Sequence, residues 1–225
     1  RILSGDLSNK KLSEIATAHV SSSLAALMNP PFAAIRIYDT IQKQNTLMQI
    51  DHHTGIVSAP THNLEKQVDG FFSTDGLLCY SKNERALFYV YYYRNQFLRL
   101  DTNLTVVFKG KTLDSISRAR ITVSPKLTGD IVKLSSPPAF VNRMACADGN
   151  KLFIQSAVPA DNENTRTFVS NSVVDVFATD DGHYLHSFYI PSYRESKVTD
   201  FRVSGNKLVA LYGNVMLVYD LHLIP

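Results

Sequence analysis

The chain is 225 residues long, 44% hydrophobic and 19% charged, with a formal net charge of +3 and two cysteines. That length buries a sizeable core, as one large β domain or two small ones, and the composition is that of an ordinary globular protein. No block of five or more Lys and Arg occurs, which argues against a nucleic-acid footprint, and no apolar run approaches the ~20 residues of a membrane-spanning helix.

The sequence opens at Arg1 without an initiator Met or a charged-then-apolar leader, which leads us to expect a fragment or a processed chain. Residues 1–31 read as irregular or as a closing strand. Within them, residues 12–20 suit a strand or a short helix, and residues 21–27 have helical spacing cut off by Asn29-Pro30-Pro31.

A phrase then recurs four times: an apolar run, usually ending in Asp and followed by a polar turn. The copies are Leu47-Met48-Gln49-Ile50-Asp51, Phe97-Leu98-Arg99-Leu100-Asp101, Val173-Val174-Asp175-Val176-Phe177-Ala178 and Val215-Met216-Leu217-Val218-Tyr219-Asp220. Around them four units are expected, over residues 32–58, 70–108, 139–190 and 197–221. The first shows strands at 32–39 and 46–51, with Gly55-Ile56-Val57 beginning a third. The second places strands at 76–80 and 86–90 ahead of its phrase. The third has strands at 141–147 and 151–155 around the turn Asp148-Gly149-Asn150, and the fourth has strands at 199–203 and 207–211 around Ser204-Gly205-Asn206. Asp-Gly and Gly-Asn pairs supply the positive φ of tight hairpin turns.

From Asp51 to Asp101 is 50 residues and from Ala178 to Asp220 is 42, while the 77 residues from Asp101 to Ala178 contain two additions, 112–138 and 159–170. Periods of about 40–50 residues with four strands each point to an all-β fold: a single β-propeller domain over residues 1–225, built of about four to six four-stranded antiparallel blades. If a longer parent has six, this chain is its C-terminal part. An immunoglobulin-like sandwich is the structural rival, but it leaves the recurrence of Gly149-Asn150-Lys151-Leu152 and Gly205-Asn206-Lys207-Leu208 unexplained. Cys79 and Cys146 occupy matching places in two units, one blade apart, and are expected to be buried free thiols rather than a disulfide.

The phrase Val173-Val174-Asp175-Val176-Phe177, followed by residues 181–191, resembles the blade ending of six-bladed NHL-like and TolB-like propellers, and residues 206–220 are similar to their last blade. The resemblance covers about residues 70–221 and extends to uncharacterised bacterial cell-envelope propeller proteins, many of them lipoprotein-like. Ala178 departs from it, standing where the blade's Asp is expected. The resemblance implies a periplasmic or outer-membrane-associated location, as a lipoprotein in the full-length form. It carries no catalytic residue.

The chemistry-bearing residues are sparse. His52 and His53 are adjacent, so on a strand they point to opposite faces, as do His183 and His186. In a turn His52 and His53 could share one ion, with His62 nine residues beyond His53, but the preferred reading of all of these is structural or solvated histidines. Thr179-Asp180-Asp181-Gly182 supplies two carboxylates where a calcium loop needs six or more oxygens, and reads as a turn. No nucleophile elbow, phosphate loop or dinucleotide fingerprint occurs, so no cofactor, metal or catalytic residue is expected. The aromatic run 88–93 reads as a strand packed on both faces, with tyrosines and arginines near its end as an alternative rim for a sugar or peptide. The insertion at 159–167 is a candidate binding loop or a disordered segment, and the insertion at 112–138 a structural brace or a contact surface for a partner. The expected ligand-contacting residues are Tyr93, Arg94, Arg118, Arg120 and Arg143.

The functional expectation is a non-enzymatic ligand- or protein-binding, scaffolding propeller of the bacterial cell envelope. Its partner is a protein, small molecule or glycan, without nucleic acid and without a transmembrane segment. The rivals are a metal-dependent hydrolase or lyase with its site in the central channel, and a subunit of an outer-membrane-associated assembly.

Overall fold

The computed structural model describes residues 2–6, 11–15, 22–51, 53–124 and 133–221. Strands β1 (Ile2–Asp6) and β2 (Lys11–Ile15) pair with each other in a two-stranded sheet. Residues 16–20 of the segment read as a closing strand lie outside the described residues. Four larger sheets follow. Sheet one is β3 (Leu24–Leu27), β4 (Phe32–Asp39) and β5 (Gln44–Asp51); sheet two is β6 (Gly76–Ser81), β7 (Ala86–Tyr91), β8 (Gln96–Leu100) and β9 (Val106–Lys111). Sheet three is β10 (Asn142–Asp148), β11 (Lys151–Ser156), β12 (Asn171–Ala178) and β13 (Tyr184–Pro191); sheet four is β14 (Asp200–Ser204), β15 (Lys207–Tyr212) and β16 (Val215–Asp220). Every sheet is an antiparallel meander, each strand pairing with the next in sequence.

The sheets pack face to face in chain order, and their first strands are neighbours in the same order: β3 beside β6, β6 beside β10, β10 beside β14. Sheets that radiate from a row of first strands are the blades of a β-propeller. The hydrophobic core is accordingly divided into layers between blades. Along β7, Leu87, Tyr89 and Tyr91 turn toward Ala34 and Leu47 of sheet one, while Phe88 and Val90 turn toward Ala145, Leu152, Ile154 and Phe177 of sheets two and three's shared layer. All six residues of β7 are buried, which is why this strand reads as a continuous apolar run rather than an alternating one. A third layer joins Phe153, Val174 and Val176 to Phe201, Val203, Leu208 and Ala210. On the far side of sheet four, Met216 and Val218 are 63% and 57% exposed.

Turn chemistry fixes the register. Gly149 and Gly205 adopt φ of +54° and +57° in the β10–β11 and β14–β15 turns, where a side chain would be strained. The recurrent Asp closes loops from its carboxylate: Asp101 accepts from the Asn103 and Thr105 amides, and Asp51 from those of His53 and Thr54. It is a turn residue.

Two local expectations change. Residues 24–27 form a strand although their spacing suits a helix, because they pair with 33–36 of β4 and alternate between half-buried and exposed. The polar insertion 159–170 contains a helix, α1 (Thr165–Ser170), whose start is capped by Asn164 accepting from the Arg166 and Thr167 amides. Among the described residues no helix is long and apolar enough to cross a membrane.

Candidate functional site

In a meander, the start of strand one, the end of strand two and the start of strand three fall at the same end of each blade. Three blades converge there on a cavity of about 700 Å³. Sheet two contributes Asp75 ahead of β6 and Tyr92 and Tyr93 after β7. Sheet three contributes Phe140, Arg143 and Met144 around the start of β10, Gln155 to Ala157 at the end of β11, and Ser172 on β12. The stretch leading into β14 adds Lys197. The cavity therefore opens at the end of the axis along which the first strands run.

Its walls are built firmly. Val141 and Asn142 donate their amides to Tyr92 O, at 2.7 and 3.1 Å, and the Asn142 side chain donates to Tyr91 O and Arg94 O. Phe140 meets Tyr92 and Tyr93 edge-on or tilted, at ring separations of 5.5 and 5.1 Å. Ala119 and Ile121 of the first insertion back this cluster, and Gln67 ties the insertion down through Ser117 O and the Ala119 amide. This described part of the insertion is a brace. Burial pushes the Tyr93 phenol up to about 12, helped by the negative charge of Asp75, so it stays a neutral hydroxyl.

The charges at the cavity are unequal. Arg143 lies 5.2 Å from the Phe140 ring centre and Lys197 5.1 Å from that of Phe168 on α1, distances at which a cation is held by the ring face. Lys197 also donates to Phe168 O at 2.9 Å. Desolvation, and then the charge of Arg143, hold the Lys197 ammonium below its ordinary value. Among the described residues the wall holds one carboxylate, Asp75, which is bonded to Arg36 and accepts from the Gly76 amide. Gln155 and Ser172 also line the cavity, but their Oε1 and Oγ atoms are themselves buried and have no hydrogen-bond partner among the described residues, a rare condition for polar atoms.

The expected ligand residues separate. Tyr93 and Arg143 come together in this cavity. Arg94 does not line it: its guanidinium is turned inward, 3.6 Å from the Tyr91 ring centre and donating to Glu65 O, so it clamps a loop to the blade. Arg118 and Arg120 are exposed on the first insertion and are not part of the lining. Phe140, Gln155, Phe168, Ser172 and Lys197 escape a sequence reading. The only signals are polar residues set against apolar runs, Gln155 after Leu152-Phe153-Ile154 and Ser172 before Val173-Val174.

A second cavity, about 600 Å³, lies between the two insertions and the outer part of sheet three. Its floor holds the buried Asp175, which accepts from Ser187 Oγ at 2.6 Å, and Tyr189 donates to Glu163 at its edge. Burial raises the Asp175 pKa above its ordinary 3.8, the Ser187 bond only partly opposing it. A carboxyl group raised on folding favours the folded state while protonated and loses that favour as pH rises through its folded value. Asp175→Asn, which keeps an acceptor for Ser187, is therefore expected to raise the melting temperature at pH 7 and leave it unchanged below the ordinary Asp value; equal effects at both pH values would contradict this.

Asp180, Asp181 and His183 form an exposed turn in which Asp181 accepts from the His183 amide and lies 2.6 Å from its ring. Cys79 and Cys146 are free, on the adjacent strands β6 and β10. Burial raises both thiols, Cys146 to about 12, which removes the thiolate that reactivity needs. His52 lies outside the described residues.

No family model matches the sequence, and no curated protein matches it. Among solved structures it is similar to hydrazine synthase of Kuenenia stuttgartiensis, at 13% identity over 92% of this chain and 48% of that one, with a TM-score of 0.49. It is likewise similar to the β-propeller domain of the trilobed protease of Pyrococcus furiosus (9%, 97% and 73%, TM-score 0.48). A third is virginiamycin B lyase of Staphylococcus aureus (12%, 96% and 61%, TM-score 0.44). The chain spans 48%, 54% and 61% of the first structures it matches, and at these identities the likeness concerns the fold alone.

Proposed function

We propose that the protein is a non-enzymatic binding propeller of the bacterial cell envelope, NHL-like or TolB-like in its blades, that holds a small ligand in the cavity at the end of its axis. The observation that carries the binding reading is the wall itself: braced aromatic rings and two cations, Arg143 and Lys197, lining one space of about 700 Å³, the size of an ordinary small-molecule site. A hydrolase or lyase using a channel metal needs Asp or His from several blades to converge. Among the described residues the lining offers one carboxylate, Asp75, and no His, so the donor set favours binding. The envelope location is supported by the blade-ending resemblance of residues 173–191 and 206–220, and recovery of the native protein in the cytosolic rather than the envelope fraction would contradict it.

The binding reading is tested by screening water-soluble metabolites for thermal stabilisation of the protein and of Ala157→Trp, which places an indole in the cavity. Ligands that stabilise the first and not the second are expected. Ligands that stabilise both equally would locate binding elsewhere.

A further inference from the structure

We infer that the second cavity, between the two insertions and sheet three, takes a polyamine: an aliphatic chain carrying two or more ammonium groups. This is a different space from the channel-end cavity and does not depend on it; among the described residues the two linings share Ser156 alone.

The charge comes first. Asp114, Asp161, Glu163 and Asp175 line the cavity, and among the described residues no Lys, Arg or His does. The chain as a whole carries a net charge of +3, so this space runs against the protein's own balance. None of the four carboxylates has a cationic partner among the described residues. Asp114 is used in its own loop, accepting from the Ile116 amide and Thr112 Oγ1. Glu163 accepts from Tyr189 through Oε1, which leaves Oε2 to the ligand.

Exposed carboxylates are ordinarily satisfied by water, and Asp175 differs from them. It is 5% exposed and lines the cavity. Its Oδ1 accepts from Ser187 Oγ. Its Oδ2 accepts from no described residue, yet it is not sealed as Gln155 Oε1 is, so this oxygen keeps accessible surface. A buried carboxylate with one oxygen unmet is costly. Burial above all, with the neighbouring charges of Asp114 and Glu163, disfavours its ionisation. An ammonium group donates to the open oxygen and offsets the crowding of like charge.

The spread of the charges selects among cations. A hard metal ion draws several oxygens into one small shell, but among the described residues no three of these carboxylates bring oxygens within 4.8 Å of one another. The rest of the lining includes Leu113, Val158, Pro159, Ala160 and Val173, surface on which methylene stems pack while their charged ends reach carboxylates. A monoamine meets one carboxylate and leaves the others, and a neutral sugar meets none of the charge. A polyamine carries separated charges on an apolar stem and answers both parts of the lining.

The test is calorimetric titration at about 0.15 M salt, which screens loose surface association, with four probes: spermidine, putrescine, n-butylamine and calcium chloride. One or both polyamines are expected to bind, with butylamine and calcium at least tenfold weaker. Asp175→Asn keeps an acceptor for Ser187 and Glu163→Gln keeps one for Tyr189, and each is expected to weaken the polyamine by roughly tenfold. Asp180→Asn, on the exposed turn outside this lining, is expected to leave it unchanged. Butylamine binding as tightly as the polyamines would overturn the assignment of several charges, and calcium binding more tightly would overturn the organic assignment. Binding by neither polyamine, affinity unaltered in both cavity variants, or an equal loss in Asp180→Asn would overturn the inference. Polyamines are kept out of the Ala157→Trp screen, so that failure here and failure of the channel-end reading are told apart.

Discussion

Phe88→Ala is expected to lower the unfolding free energy by about 3–5 kcal/mol, the cost of deleting a fully buried aromatic ring whose surroundings relax only in part. Phe88 is completely buried in the layer that joins sheets two and three, among Val90, Phe97, Leu152, Ile154 and Phe177. No backbone rearrangement within one sheet fills the hole, because the facing residues belong to a different blade. Equilibrium urea denaturation reads the loss directly. Met216→Ala, on the exposed far face of sheet four, is the matched control and should stay within about 0.5 kcal/mol. A loss below 1 kcal/mol for Phe88→Ala would mean that β7 is not enclosed on both faces.

Asp75→Ala is expected to cost about 3 kcal/mol, at the low end for breaking a buried ion pair, since the Asp75 side chain is 23% exposed against 9% for Arg36. The pair is the centre of a small network. Arg36 also donates to Ser23 Oγ at 3.0 Å and to Tyr89 Oη at 2.9 Å, and Tyr89 donates in turn to Thr74 O at 2.6 Å. Desolvation pulls the Arg36 guanidinium down, and Tyr89 and Asp75 more than offset it, leaving its pKa raised. Removing Asp75 strands that cation between sheets one and two. Arg36→Met combined with Asp75→Ala should therefore be less damaging than Asp75→Ala alone, the non-additivity expected of groups in one network. Simple addition of the two single effects would show that the pair is not coupled.

Architecture was legible because it is written in short-range patterns. Asp148-Gly149-Asn150 and Ser204-Gly205-Asn206 announce hairpins that the positive φ of Gly149 and Gly205 realises, and the recurring Asp51 and Asp101 mark turns by chemistry local to a few residues. Residues 24–27 were misread for the opposite reason: their state is decided by pairing with β4, which no window of that segment contains. The cavity was the least legible part. Tyr93 and Arg143 stand out by position in their strands, but Phe168 reaches the site only through a six-residue helix in an insertion, and Lys197 only through the packing of a neighbouring blade. Arg94 reads as a rim residue in sequence and is held inside by Glu65 O and the Tyr91 ring, of which Glu65 stands 29 positions away.

The proposed function rests on one space, and filling that space is the most direct test. In a side-by-side thermal screen, ligands that raise the melting temperature of the protein should leave Ala157→Trp unmoved, while the variant by itself melts as a folded chain. Stabilisation of the two proteins by the same ligands to the same extent would show that the cavity among Phe140, Arg143, Gln155, Phe168, Ser172 and Lys197 is not where this propeller binds.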